Sequence, residues 1–457
     1  MLASCLTLTM LDGAALVERP AVVPLLPNEE HLERDVYNAP NVARSEHFAL
    51  RWGDSVELSL SQEEILLEAL ELSWAVQIEE QGYPPPSGTD QYLFNVYLGD
   101  SGASLPSSMG ASGYYTTDLE GWPMVVLGPY VYEHEDRHLS TIPHEFFHAV
   151  QHSIGHYLED ARAKWYWEAT ATWMEGEVFP EESLTGIFLF GFLFNPHLAI
   201  NAAPEFEGEA SDYFSYGAFA FIDRLVELTE VDAVRESWTQ ASVLPLQWWT
   251  DRLRTQSLEM SDVLVDFAAR RVLLDLTDVE LYEADLIQYA QAYPQEDHRI
   301  TAQLPSSGNT TFREVLTEFF PQRGGYNHVM LQSPLWDTMV VQVETEAFGS
   351  LGSTAIWSAQ ALVFSDPEAQ PQRHELQFNE GLAEVELSQL SDVDRISLIV
   401  SSWSDQDRPS EQFFYSYRIH QKEEDEEELQ SGCRSDKSYL MLLPFLFGWL
   451  RRNKRTL

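Results

Sequence analysis

The spacing of apolar residues divides the chain into two parts. Up to about residue 300, a few strand-like runs, near 46–52, 92–98 and 124–131, come before longer segments with apolar positions at helical spacing. The predicted helices lie near residues 213–229, 231–242, 258–272 and 278–292. This order predicts an α+β domain in which a small sheet comes first and helices follow.

Beyond residue 300 the pattern changes to short strand-like runs separated by polar turns. These runs are residues 339–343, 376–378, 385–387, 396–400 and 413–417. Repeated short strands at such spacing are typical of an antiparallel β-sandwich. The fold class predicted for the whole chain is therefore α+β, with a helical domain that carries a small sheet followed by a β-sandwich.

The same patterns give domain boundaries. We predict a signal-like N-terminal segment at 1–25, an α+β domain at 26–298, a β-sandwich domain at 299–420, and an acidic linker with a C-terminal tail at 421–457. No chemistry stands out in the sandwich, which we interpret as an accessory domain for carbohydrate or protein binding, or as a spacer.

A further predicted helix, which begins near Thr141, carries a candidate metal site. His144 and His148 are four residues apart and therefore lie on the same face of a helix, where they can bind one metal ion. Glu145 lies beside them and can take a proton from a metal-bound water. The alternative is that both histidines are ordinary polar positions of an amphipathic helix. His152 and His156 continue the spacing, and we interpret them as solvated.

A catalytic zinc site needs a third protein ligand and an open fourth position. The aromatic-rich segment 165–175 supplies a carboxylate, Glu168, in surroundings where an unpaired charge would be costly. Glu175, seven residues later on the same helical face, is a candidate for orienting a ligand imidazole. Glu175 and Glu177 could equally be surface acids.

These two segments resemble a known clan of enzymes. His144-Glu145-x-x-His148 followed by Glu168 resembles the gluzincin metallopeptidases, and residues 141–175 resemble a family of metalloprotease-like proteins found largely in myxobacteria and their relatives. The similarity covers residues 45–300 and is specific at the two helices. It implies that His144, His148 and Glu168 are ligands of one Zn²⁺ ion and that Glu145 is the general base.

The resemblance also suggests how substrate would be held. Gluzincins use a downstream Tyr or His to stabilise the oxyanion, and Tyr213 and Tyr216 lie in a similar segment, although core aromatics are the alternative for at least one of them. A peptide substrate is expected to pair with an edge strand, for which 124–129 is the candidate.

The charge of the chain limits its partners. The 73 acidic and 27 basic side chains give a net charge of −46, which would repel phosphates and argues against nucleic acid as a partner. The expected partner is a peptide or protein, and the sequence leaves the oligomeric state open.

Both ends of the chain look like targeting segments. The N-terminus resembles the end of a secretory signal without its basic region, and an unstructured N-terminus of an intracellular protein is the alternative. The C-terminus has an acidic run at 423–428, then Cys433, an apolar run at 439–450 and a basic cluster, as in the sorting tails of myxobacterial surface proteins. We therefore expect an extracellular or cell-surface protein that contacts membrane only through its terminal segments.

Three functional classes remain from the sequence. The first is a secreted or surface-attached zinc endopeptidase that uses Glu145 as the base. The second is a zinc hydrolase of a non-peptide bond, because the motif specifies the attacking water and not the substrate. The third is a non-catalytic surface protein with a structural metal site, for which a fourth protein ligand such as His152 would be expected.

Overall fold

The computed structural model describes residues 33–133, 139–158, 160–180, 185–202, 213–277, 279, 282–366 and 370–422. Within them the protein is an α+β structure, as predicted. The signal-like segment 1–25 and nearly all of the tail 421–457 lie outside the described residues. Among the helices that are described, none is long and apolar enough to cross a membrane.

The first part of the chain contains a mixed five-stranded sheet in the order β1-β2-β3-β5-β4. Its strands are β1 (Asn41–Arg44), β2 (Phe48–Trp52), β3 (Phe94–Leu98), β4 (Gly113–Thr117) and β5 (Pro123–Leu127). The three central strands are parallel and fully buried, which explains why most of their residues are apolar. The buried polar residues Arg51 and Asn95 are hydrogen-bonded to each other. The outer strands β1 and β4 pair antiparallel with their neighbours.

The prediction that 124–129 forms an edge strand is wrong. β5 lies between β3 and β4, so both of its edges are paired, and β4 is the outer strand on that side. The chain leaves the sheet at Gly128, and a short helix begins at Pro129. Proline has no N–H for a sheet but fits the first turn of a helix.

One helix lies between β2 and β3 in the chain, and the other helices follow the sheet. In chain order they are α1 (Leu60–Trp74), α2 (Pro129–Tyr132), α3 (Thr141–Ile154), α4 (Lys164–Val178), α5 (Thr185–Leu193), α6 (Phe214–Gly217), α7 (Phe219–Leu228), α8 (Asp232–Thr239), α9 (Pro245–Thr255), α10 (Met260–Leu273) and α11 (Glu283–Ala292). The predicted helix at 213–229 is interrupted at Ala218, and α9 was not predicted.

Aromatic packing fixes α3 against the sheet. The ring of Phe146 lies 5.3 Å from that of Phe48 on β2 and 5.4 Å from that of Phe94 on β3. Phe147 contacts Tyr83 with ring centroids 5.0 Å apart. Because these aromatic side chains are buried, they fix the orientation of α3 and therefore of the polar residues beside them, His144, Glu145 and His148.

The second part of the chain forms two further sheets. Their strands are β6 (Ala302–Leu304), β7 (Tyr326–Gln332), β8 (Thr338–Thr345), β9 (Ile356–Phe364), β10 (Gln372–Leu376), β11 (Phe378–Asn379), β12 (Leu382–Ser388), β13 (Arg395–Trp403) and β14 (Tyr415–Gln421). One sheet has the order β10-β9-β13-β7-β6 and the other β11-β12-β8-β14. All pairs are antiparallel except β6 with β7. One hydrophobic cluster contains side chains from both sheets.

The predicted strand at 376–378 is wrong, because Leu376 ends β10 and Phe378 begins β11 in the other sheet. The helical and β parts are in contact. Ala268 and Ala269 of α10 pack against Tyr326, Leu362 and Ile399. Small residues on the helix allow this close approach to the sheet.

Candidate metal centre

Two neighbouring helices bring the predicted ligands together. α3 and α4 pack against each other, and α3 ends at Gly155, whose left-handed φ of 75° suits glycine. His144 and His148 project from α3 towards Glu168 of α4. One ligand atom from each of the three residues lies within 4.8 Å of the other two, and the Nε2 atoms of His144 and His148 lie 3.5 and 3.4 Å from Glu168 Oε2.

The outer nitrogen of each imidazole is held by an oxygen atom. His144 Nδ1 lies 2.7 Å from Glu175 Oε1, and His148 Nδ1 lies 2.7 Å from Gln151 Oε1. The Gln151 amide nitrogen donates to Trp167 O and Thr170 Oγ1, so its oxygen faces the histidine. With Nδ1 as the donor in both rings, the neutral tautomer leaves both Nε2 lone pairs directed at Glu168.

This arrangement fits a divalent cation. Glu168 Oε2 is buried and has no hydrogen-bond partner among the described residues, although it lies 3.5 Å from His144 Nε2 and 3.4 Å from His148 Nε2. Two lone pairs and a carboxylate oxygen repel one another unless a cation or a proton lies between them. Ligand bonds of about 2.0–2.2 Å in tetrahedral geometry place zinc ligands about 3.4 Å apart, which matches these separations.

The charges around the site already favour a cation. Burial lowers the pKa of His144, but contacts with Glu168 and Glu175 and the charge of Glu145 outweigh it and raise the pKa to about 10. Burial raises the pKa of Glu168, yet the two histidines more than offset this and hold it well below its usual range. The same carboxylates that stabilise a proton on His144 would stabilise a metal ion in its place.

Glu145 lies beside this cluster, under the start of β4. Burial and the charge of Glu168 raise its pKa, and His144 and His148 lower it only in part. A base with a raised pKa is matched to proton transfer near neutral pH. Gly113 allows β4 to come close, because a Cβ there would lie 3.0 Å from Glu145 Cγ and 2.7 Å from Thr141 Cγ2.

The two predicted tyrosines have different positions. The ring of Tyr216 stacks on His144 with centroids 5.6 Å apart, and burial together with the charge of Glu168 raises its pKa. Tyr213 precedes α6, and its ring lies 5.8 Å from that of Phe188. Phe188 also stacks on Tyr216 at 5.0 Å. Tyr216 therefore borders the cluster directly, whereas the ring of Tyr213 packs beside that of Phe188.

The remaining predicted residues are also placed. Glu175 is 3% exposed and contacts the His144 imidazole, so it is not a surface acid. Glu177 is half-buried and accepts a hydrogen bond from Gln81. His152 lies beside Tyr115 with ring centroids 5.4 Å apart. In the described part of the chain, the group of residues able to hold a metal includes neither His152 nor His156.

Sequence reasoning missed two supporting residues. Gln151 orients His148, and Trp167 stacks on the same imidazole with centroids 5.0 Å apart. The position of Gln151, three residues after His148 on the same helical face, was a usable signal. The stacking of Trp167 depends on how α3 and α4 pack, which no local pattern specifies.

Comparison with known sequences places the chain in a family. A family described as "Family of unknown function (DUF6055)" matches residues 24–359, which include the first sheet, the described helices and the cluster of His144, His148 and Glu168. The chain belongs to this family. The description of DUF6055 gives no activity, and no curated protein matches the chain.

A solved structure similar to this DUF6055 protein is a family GH115 4-O-methyl-alpha-glucuronidase with specificity for decorated arabinogalactans. The two are 11% identical, with a TM-score of 0.16 over 60% of this chain and 42% of that one. The matched region thus spans less than half of the glucuronidase. A likeness at this level supports no conclusion about activity.

Proposed function

We propose that this protein is a zinc-dependent endopeptidase of the gluzincin type, with His144, His148 and Glu168 as the metal ligands. Its catalytic domain would be followed by a β-sandwich accessory domain. The observation that carries the proposal is that one ligand atom from each of these residues lies within 4.8 Å of the other two, with both imidazole Nε2 atoms within 3.5 Å of the Glu168 carboxylate. The support of both outer nitrogens by Glu175 and Gln151 is the arrangement that metal-binding histidines generally have.

The roles of the residues follow from their positions. A zinc ion at this site would supply a Lewis acid that lowers the pKa of a water molecule to about 7. Glu145, buried beside the ligands and with a raised pKa, accepts the proton of the attacking water and passes it to the leaving amine. Tyr216 stays protonated because its pKa is raised, so it can donate a hydrogen bond to the oxygen that gains negative charge.

The outer strand β4 is the proposed site for the peptide backbone. It is the last strand in its sheet, it packs against α3, and Gly113 brings it next to Glu145. An extended peptide that pairs with β4 would have its backbone amides presented to the metal cluster. The net charge of the chain is −46, which favours substrates with basic residues and disfavours nucleic acid.

Two alternative functions would use the same cluster of residues. Hydrolysis of a non-peptide bond would use the same ligands and base, because these residues activate water whatever the substrate. A structural metal site would need a fourth protein ligand, and His152, the candidate, packs beside Tyr115 instead. Export and attachment through the C-terminal tail remain part of the proposal.

The test compares three proteins for zinc content and casein cleavage. We expect the wild type to contain one zinc and to cleave casein. Glu145→Gln should keep the zinc and lose cleavage, whereas Glu168→Ala should lose much of the zinc. Normal cleavage by Glu145→Gln would show that the base is assigned wrongly. Zinc retention with no cleavage of any peptide in a proteome digest would favour the non-peptide alternative.

A further inference from the structure

A cavity of about 280 Å³ lies at the junction of the helical and β parts. None of the residues that line it is a candidate metal ligand or base. It is bordered on the helical side by Arg162, Trp165, Asn201 and residues 243–247, and on the β side by Arg323 and Asp407. A volume of this size accommodates a molecule as large as a monosaccharide.

One buried side-chain atom in this cavity, Asn201 Oδ1, has no hydrogen-bond partner in the described part of the chain. Asn201 is 6% exposed, and its Nδ2 donates to Asp407 Oδ1 over 2.9 Å. Turning the amide round would place two oxygens against each other, so this orientation is fixed. Its Oδ1 then has no hydrogen-bond donor among the described residues. A buried acceptor left in this way costs free energy that a ligand with a donor would recover.

Other polar groups near Asn201 can also form hydrogen bonds with a ligand. Asp407 Oδ2 lies 3.9 Å from Arg162 Nη1, which is beyond hydrogen-bond distance. Helix α9 begins at the cavity with Pro245, and no side chain caps it. Pro245 has no N–H, and the Trp248 N–H donates to Leu244 O, so the first-turn N–H groups without a partner inside the helix are those of Leu246 and Gln247. The cavity thus offers both acceptors and donors, beside an apolar wall at 243–246.

The charges in the cavity are already balanced. Arg323 donates to Asp407 over 3.1 Å, and Arg162 donates to Asp160 through two nitrogens at 2.7 and 2.9 Å. An anion would have to compete with these carboxylates, and a cation would meet two guanidinium groups. A neutral molecule whose hydroxyls both donate and accept meets neither penalty.

We infer that this cavity binds a neutral saccharide, with Asn201 Oδ1 and Asp407 Oδ2 accepting from its hydroxyls and the first turn of α9 donating to it. The bound sugar would contact both the helical and the β parts of the protein. This inference goes beyond the proposed hydrolase function, shares no residue with it, and stands or fails separately.

The experiment is a titration of the full chain with D-glucose, D-galactose, D-mannose and N-acetyl-D-glucosamine, with saturation-transfer NMR as the readout. Sodium acetate and methylammonium chloride serve as charged probes. We expect saturable binding of at least one sugar. Asn201→Leu should weaken it about tenfold, the loss expected for one ligand hydrogen bond. Asn195→Leu is the matched control, because Asn195 is also 6% exposed but lies outside the cavity.

A second variant protects the test against misfolding. Val243→Trp adds a large side chain to the cavity wall at a position that is 39% exposed, and Val231→Trp, at 42% exposed, is its control. Val243→Trp should abolish sugar binding and Val231→Trp should not. The inference is overturned if no sugar binds saturably, if only acetate or methylammonium binds, or if the folded cavity variants bind sugar as the wild type does.

Discussion

His144 and Glu175 are joined by a hydrogen bond of 2.7 Å between Nδ1 and Oε1. Glu175 is buried, so its carboxylate is held by the protein and not by solvent. The bond makes Nδ1 the protonated nitrogen and directs Nε2 towards Glu168, 3.5 Å away. The orientation of one proposed ligand therefore depends on a residue that would not itself touch the metal.

Replacing Glu175 should weaken zinc binding without removing a ligand. Glu175→Gln keeps an acceptor for His144 but loses the negative charge that makes the imidazole a better donor to the metal, so we expect about a tenfold lower zinc affinity. Competition with a fluorescent chelator measures it. Glu177→Gln, two residues away and bonded to Gln81, is the control and should bind zinc as the wild type does. Equal zinc affinities of Glu175→Gln and Glu177→Gln would show that Glu175 does not support metal binding.

Replacing Tyr216 should lower the turnover rate and leave the zinc content unchanged. We expect Tyr216→Phe to lower kcat by about 10²–10³-fold, the usual loss of one oxyanion donor, with a small change in KM. Zinc content should stay the same, because the stacked ring is kept. Tyr213→Phe should stay within about twofold of wild type, since its ring lies against Phe188. Equal losses in both variants would contradict the distinction between them.

Gly113 should be needed for the close packing of β4 on α3. In Gly113→Ala, the added methyl would lie 2.7 Å from Thr141 Cγ2 and 3.0 Å from Glu145 Cγ. Relief of such overpacking typically costs about 1–3 kcal/mol, which urea unfolding measures, and displacement of Glu145 should also lower activity. Thr141→Ser removes the nearer methyl, so the double variant should recover part of both losses. A Gly113→Ala protein with unchanged stability and activity would contradict this packing argument.

Stability should fall in mild acid through His328. Burial and the charge of Arg395 lower its pKa to about 4, although its contact with the Arg299 carbonyl opposes this. In the unfolded chain this histidine has a pKa of about 6.5 and is protonated below that pH, whereas in the folded protein it stays neutral down to about pH 4. The contribution of neutral His328 to stability is therefore complete above about pH 6.5 and decreases towards pH 4.

The check is the pH dependence of the unfolding free energy between about pH 6.5 and 4. His328 contributes up to about 1.4 kcal/mol per pH unit in this window. His328→Gln should make the dependence shallower, because the side chain no longer titrates but can still bond to Ser397 and Arg299. His374→Gln, the same exchange on strand β10, is the control for the substitution itself. A wild-type slope in His328→Gln would refute the assignment.

The candidate ligands could be predicted from the sequence because the signals that mark them are local. His144 and His148 are one helical turn apart, and Glu168 stands among aromatic residues where a lone carboxylate is costly. Glu175 followed from the same helical spacing. The structure brings these residues together as the spacing predicted.

The features that could not be predicted from the sequence depend on how distant segments of the chain pair and pack. Strand β5 reads as an apolar run whether it lies at an edge or inside a sheet, so its place between β3 and β4 was missed. The start of α9 at Pro245 follows another helix closely, and a proline there is as consistent with an ending as with a beginning. The cavity at Asn201 likewise arises only where the two parts of the chain meet.

The most direct test of the metal centre is anomalous diffraction at the zinc edge from crystals of the protein supplied with excess zinc. We predict one zinc peak, with His144 Nε2, His148 Nε2 and a Glu168 oxygen at about 2.0–2.2 Å and a non-protein oxygen in the fourth position. The absence of a peak at these residues under saturating zinc, or a fourth protein ligand that closes the site, would contradict the account.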